Sequence, residues 1–357
     1  MPELSAGLEL IGFLQWVYNI IASIINTLGL PQIILNIVLM VLICLAIIVF
    51  LALMALFLIW WERKVAAHFQ DRLGPMMTGW HGWLQTVADA LKLLQKEDIV
   101  VASADRKVHY WAPVVVFTAC LMAFVVIPFG KGLSPSKVNI GILYILAITS
   151  LTVISLLMAG WASNNKYALL GGMRSAAQIV SYEVPLTLSI IGVVLMSGTL
   201  SMGGFIEAQG PYFWKWYIWP QILGFAIYLS AATAELNRTP FDLPEAEQEL
   251  VAGFNIEYSG MKFAMFFLAE FLNMFLVGAV ATTLFLGGWQ PPLPGLSFIP
   301  SYIWFLGKSL FIVFVIMWFK WTYPRLRVDH LMAFAWKVLL PLAFLNIILT
   351  AVGVYIF

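Results

Sequence analysis

Residues 235–257 read ELNRTPFDLPEAEQELVAGFNIE and hold six carboxylates: Glu235, Asp242, Glu245, Glu247, Glu249 and Glu257. Arg238 is the only base within that stretch. Carboxylates crowded in this way titrate as a coupled group rather than one by one, and groups of that kind can pass protons among themselves. Pro244 predicts a helix beginning there, which would put Glu245 and Glu249 on one face at i, i+4. Acids in a first helical turn complement the helix dipole, and that accounts for one or two of them. A solvated acidic loop is the plainer alternative. It is weakened by Phe241, Leu243, Leu250, Val251, Phe254 and Ile256, which interleave the acids.

Two further carboxylates, Glu183 and Glu270, fall inside apolar runs. Glu183 is more than a turn into its run, and Glu270 about two turns into its own. An ionised carboxylate facing lipid costs at least ~2.5 kcal/mol, so both must face other helices, carry a proton or have a partner. Pro185 follows Glu183 by two residues and is expected to loosen the local helix. A second charged linker opens with ERKVAAHFQDRLGP from Glu62 and includes Arg63. It continues into residues 84–95, where Leu84, Val87, Leu91 and Leu94 recur at helical spacing, with Asp89 and Lys92 off the stripe. Such a helix lies along a membrane surface or packs on a partner. Most bases of this linker are explained by orientation in the membrane alone.

The elements that must position these groups follow from composition. Of 357 residues, 62% are hydrophobic and 10% charged, with net charge +1 and mean hydropathy +0.93. A soluble domain is about 25% charged, so a soluble enzyme, a disordered chain and a nucleic-acid binder are excluded. The expected fold is an all-α polytopic membrane protein with eight spans, near 33–60, 112–130, 139–161, 178–198, 216–235, 263–286, 299–319 and 335–357. The linkers after the odd-numbered spans hold most of the 19 Lys and Arg and are expected to face the cytoplasm. Residues 1–32 read as an N-terminal extension in which 8–25 is an interfacial or extra helix. Residues 33–357 read as one integral membrane domain. Cys44 and Cys120 lack ligand-spaced neighbours and read as small buried hydrophobes, and the four histidines form no metal pair.

Six stretches together carry a family resemblance: ERKVAAHFQDRLGP, ADALKLLQKED, GWASNNKYALLG, RSAAQIVSYEVP, ELNRTPFDLPEAEQELVAGFNIEYSG and YPRLRVDHLM. They resemble the H subunit of proton-translocating NADH:quinone oxidoreductase, the bacterial respiratory complex I, from about residue 33 to the end. The resemblance implies a membrane component that helps form a chamber where quinone (ubiquinone or menaquinone) is reduced by an iron–sulfur cluster of a neighbouring subunit. It implies quinone-channel roles for Glu62, Arg63, Asp89, Lys92 and Arg238. It implies proton-relay roles for Glu183, Glu235, Asp242, Glu245, Glu247, Glu249, Glu257 and Glu270. Arg325 and Arg327 match a basic pair near the last linker. The implied partners are peripheral iron–sulfur and quinone-reductase subunits, small membrane-arm subunits and inner-membrane lipid. FMN and iron–sulfur clusters are expected in those partners and not in this chain, which alone is expected to be inactive. A related hydrogenase-type assembly would use the same linker without quinone. A stand-alone secondary transporter fits less well, because no inverted repeat is visible.

Overall fold

The computed structural model describes residues 32–244, 247–296 and 298–356. The N-terminal extension, its candidate helix at 8–25 and Glu245 lie outside the described residues. Glu247 lies in a described helical turn, but its side chain does not belong to the described set.

Among the described residues the structure is helical, without strands. The α-helices are α1 (Gln32–Phe69), α2 (Gln85–Gln95), α3 (Arg106–Ala123), α4 (Gly141–Thr149), α5 (Leu151–Ala162), α6 (Lys166–Ser197), α7 (Met202–Gln209) and α8 (Ile222–Glu235). They continue as α9 (Glu247–Leu250), α10 (Gly260–Phe285), α11 (Ser301–Thr322), α12 (Val328–Ala333) and α13 (Leu340–Ile356). Seven helical segments are long and apolar enough to cross a membrane: α1, α3 with its last 3-10 turn, α4 and α5 as one bent unit, α6, α10, α11, and α12 through α13.

The expected fifth span, 216–235, is helical only from Ile222 and has 14 residues. Pro220 disfavours helical geometry in the residue before it, and Trp216–Pro220 enter as turns. At 1.5 Å per residue α8 covers about 21 Å, short of a hydrocarbon core of roughly 30 Å, so seven of the eight expected spans have crossing length among the described residues.

Local signals set the helix ends. Asn165 caps α6, its side chain accepting from the Tyr167 amide at 3.0 Å, and Gly198 closes it in the left-handed region at φ 67°. α6 therefore begins twelve residues before the apolar run predicts and sets Glu183 nearly five turns in. It also runs through Pro185 unbroken. The Thr187 hydroxyl donates to the Glu183 carbonyl at 2.8 Å and ties the chain across the proline.

α10 is the most enclosed span and packs against α1, α2, α3 and α11, while α6 gathers α5, α8 and α13. α1 is the least enclosed. Cys44 consequently lies on its exposed outer face, against the buried reading, whereas Cys120 is buried.

The hydrogen bonds between linkers sort the two ends of the bundle. At one end the linkers after spans one, three, five and seven bond to each other. The Ile99 amide donates to Ser259 Oγ at 3.0 Å, the Asp105 amide to the Ala162 carbonyl at 3.1 Å, and the Leu326 amide to the Pro240 carbonyl at 3.0 Å. At the other end the Ile142 amide donates to the Leu200 carbonyl at 3.2 Å, and the Gln290 side chain to the Ile206 carbonyl at 2.7 Å. The charged linkers thus share one end of the molecule.

Candidate functional site

Arg238, just beyond α8, is the hub of the charged end. It is 2% exposed. A guanidinium enclosed to that degree must be matched by acids and hydrogen-bond acceptors. It donates to Glu62 on α1 and pairs with Glu270 Oε1 on α10 at 2.9 Å. Lys320, at the end of α11, donates to the other Glu62 oxygen at 2.5 Å. The Phe271 ring lies 4.6 Å beneath the Arg238 guanidinium, adding a cation–π contact. Four elements therefore contribute two acids and two bases to one cluster.

Above this cluster is a cavity of about 400 Å³. Its polar wall is Glu62, Arg63, Arg72, Arg238, Glu270 and Lys320; its apolar wall is Ile59, Phe267, Phe271 and Trp321. An apolar cleft with a few convergent charged groups is the usual form of a small-molecule site. Arg63 turns to Asp89 on α2 at 2.7 Å, and Gln85 also donates to that carboxylate at 3.2 Å. These contacts hold α2 along the rim. The residues that resemblance assigns to a quinone channel thus divide. Glu62, Arg63 and Arg238 line one cavity, Asp89 braces it, and Lys92 is exposed on α2 away from it. The α2 stripe forms as expected, and Leu84, Val87, Leu91 and Leu94 face outward.

The acidic set divides as well. Glu270 belongs to the cluster and also lines a 60 Å³ cavity shared with Glu235. Glu235 lies within electrostatic reach of Glu183 on α6. Asp242 turns instead to Arg325 at 3.0 Å. Burial lifts the Asp242 carboxyl above its ordinary value, and the Arg325 guanidinium offsets part of that rise. Glu249 pairs with Arg174 of α6 at 2.6 Å, and Glu257 accepts from the Asn165 amide at 2.8 Å. The acids of this linker are therefore not left to one local base, because α6 and the last linker bring Arg174 and Arg325 to it. Arg327 pairs with its neighbour Asp329 at 3.0 Å on the surface.

Of the helix expected from Pro244, the described residues show the turn Glu247–Leu250. Val251 at φ 65° breaks it, and Gly253 at φ 56° turns the chain back toward α6. There a Cβ on Gly171 would lie 2.7 Å from the Gly253 Cα, so the loop reaches α6 because Gly171 has no side chain. Gln178, buried in α6, donates to the carbonyls of Ala234 and Phe241, both at 2.7 Å. That clamp sets where the chain leaves α8 and where Arg238 points.

Sequence reasoning missed Lys320, Arg72, Phe267, Phe271 and Trp321 in the cavity wall. Lys320 is 258 residues from Glu62, and no local pattern links them. Lys308, well inside α11, was also missed, although a cation inside an apolar run is a signal in itself. Its ammonium donates to the carbonyls of Leu286, Gly288 and Gln290 at 2.7, 3.0 and 2.7 Å. No group of three or more His, Cys, Asp or Glu placed to hold a metal occurs among the described residues.

Fold and site define a class: a polytopic helical membrane protein with an enclosed ion-pair cluster at the base of a cavity. The family model described as NADH dehydrogenase matches residues 41–351. The H subunit of NADH-quinone oxidoreductase from Brevibacillus brevis is 52% identical over 83% of this chain and 87% of its own length. The H subunit from Carboxydothermus hydrogenoformans is 49% identical over 90% and 91%, and that from Phocaeicola vulgatus 44% over 95% and 96%. The chain belongs to the NADH dehydrogenase family, among the H subunits of NADH-quinone oxidoreductase, a translocase complex.

Proposed function

We propose that this chain forms the membrane-side wall of a quinone chamber and passes the consequence of quinone reduction to proton-translocating subunits through its carboxylates. The observation that carries this reading is the 400 Å³ cavity floored by Glu62, Arg238, Glu270 and Lys320, with Glu270 also bordering the cavity of Glu235. Quinone enters from the bilayer between α1 and the exposed stripe of α2. Its head group approaches Arg63 and the cluster, and its electrons come from an iron–sulfur cluster of a neighbouring peripheral subunit. The charge appearing on reduction, or the protons withdrawn, changes the protonation of Glu270, Glu235 and Glu183, with Asp242, Glu245, Glu247, Glu249 and Glu257 feeding the same pool. In this reading the linker-rich end faces the cytoplasm of a bacterial inner membrane. Residues 33–357 act as one domain beside small membrane-arm subunits.

Membranes carrying the assembled complex with Arg238→Gln test the chamber. NADH oxidation by quinone is expected to fall at least about tenfold, because the substitution leaves two acids, Glu62 buried and Glu270 half-buried, against one base. NADH oxidation by a hydrophilic artificial acceptor, which bypasses the chamber, is expected to stay unchanged. Equal quinone rates in wild type and variant would overturn the reading. The relay has its own test in Glu247→Gln, for which proton uptake per NADH oxidised is expected to drop.

A further inference from the structure

We propose that Asn273 is a positioning residue that orders water between Glu270 and Glu235, so that these two carboxylates exchange protons past its side-chain amide. The inference rests on the relay reading above and names a residue outside the acidic set.

Glu270, Asn273 and Val277 follow each other along α10 at i, i+3 and i+7, one face of the helix. Two small cavities lie along that face. The first, about 60 Å³, has Glu270, Asn273, Glu235, Asn237, Asn255 and Thr152 as its polar lining. The second, about 50 Å³, is lined by Asn273, Glu235, Thr152, Thr149 and Tyr228. Asn273, Glu235, Thr152 and the apolar Leu236 border both, so the three polar side chains meet at the junction. A water needs roughly 10–15 Å³ of such space, and each cavity accommodates a few.

The chemistry of the junction is specific. Asn273 Oδ1 is buried and has no hydrogen-bond partner among the described residues. An amide oxygen in that position is costly unless something donates to it. The Thr152 hydroxyl already donates to the Thr149 carbonyl at 2.7 Å, and the Tyr228 hydroxyl to the Val277 carbonyl at 3.0 Å. Both retain only accepting capacity toward the cavities. The Asn237 amide is turned to the Ser175 hydroxyl at 3.2 Å, so a water in these cavities is the donor left for Asn273 Oδ1. An amide can donate and accept without itself titrating, so it can order a proton path and not trap the proton.

The test uses membranes with the complete complex, comparing wild type with Asn273→Leu, Asn273→Ser and Glu235→Gln. Proton uptake per electron and the ratio of rates in H2O and D2O are read. Asn273→Leu, close to asparagine in size but without polar atoms, is expected to lower proton uptake about tenfold and raise the isotope ratio. Asn273→Ser, smaller but able to donate and accept, is expected to keep most of the uptake. A packing role predicts the reverse order, with serine worse than leucine, and that order overturns the inference. So does normal uptake in Asn273→Leu while Glu235→Gln is impaired, in which case the relay survives without Asn273. Normal uptake in Glu235→Gln removes the relay itself and this inference with it. Should Asn273→Leu not assemble, Thr152→Val at the same junction is expected to lower uptake, and normal uptake there overturns the proposal.

Discussion

Glu62, Glu270, Arg238 and Lys320 place two negative and two positive charges in mutual contact around the buried Arg238 and Glu62, so each residue's worth depends on the other three. Glu62→Gln leaves an excess positive charge among buried groups and is expected to cost about 3–5 kcal/mol, read as a lower unfolding temperature of the purified complex. Adding Lys320→Met restores the balance and is expected to recover part of the loss, which a double-mutant cycle measures directly. Asp242 gives a pH prediction. Its folded-state pKa is raised by burial, so the folded state holds the proton more tightly than the unfolded one. The stability tied to that proton is complete below the unfolded value near 3.8 and is lost as pH rises through the folded value. Arg325→Gln removes the opposing cation. The decline is then expected to extend to higher pH in thermal unfolding scans, and an unchanged profile would disprove it. At this scale the acids were legible because carboxylates in an apolar sequence stand out. Their partners were not, because Arg174 and Lys320 on helices and Arg325 in the last linker arrive from far away in the chain.

Among the elements, α2 is the one that periodicity describes best: leucines at helical spacing form a helix, and its stripe faces outward as the pattern requires. Leu91→Glu on that stripe is expected to raise the apparent KM for a hydrophobic quinone several-fold and to leave kcat largely intact, because the change disturbs entry and not the buried charges. Steady-state titration with quinones of different tail length checks this, and a fall in kcat alone would contradict it. α6 shows the opposite case. Its hydropathy marks only the apolar part, whereas its true start is fixed by a single capping side chain, Asn165. The late start of α8 and the early end of α9 also escaped the pattern, since Pro220 and the positive φ of Val251 act locally where hydropathy averages over a window.

For the whole molecule, the helical polytopic class and the pairing of linkers by end could be read from apolar runs and basic residues, because lipid imposes both, whereas the eight expected spans become seven helices of crossing length and the short α8 among the described residues. Packing could not be read, since it depends on close approaches such as that of Gly171 to Gly253. Gly171→Val is expected to push the 251–255 loop off α6 and cost about 1–3 kcal/mol. Faster proteolysis after Arg174 or within the loop would accompany the lower stability. The depth of the four-charge cluster has one more outcome. Ions of the medium screen charges across water within about 10 Å at 0.1 M, but they do not reach a guanidinium that is 2% exposed. Added electrolyte therefore weakens the outer pairs of Arg174 with Glu249 and Arg327 with Asp329 while the buried pair of Arg238 with Glu62 keeps its strength. The molecule contains one electrostatic system that senses the surrounding solution and another that is insulated from it.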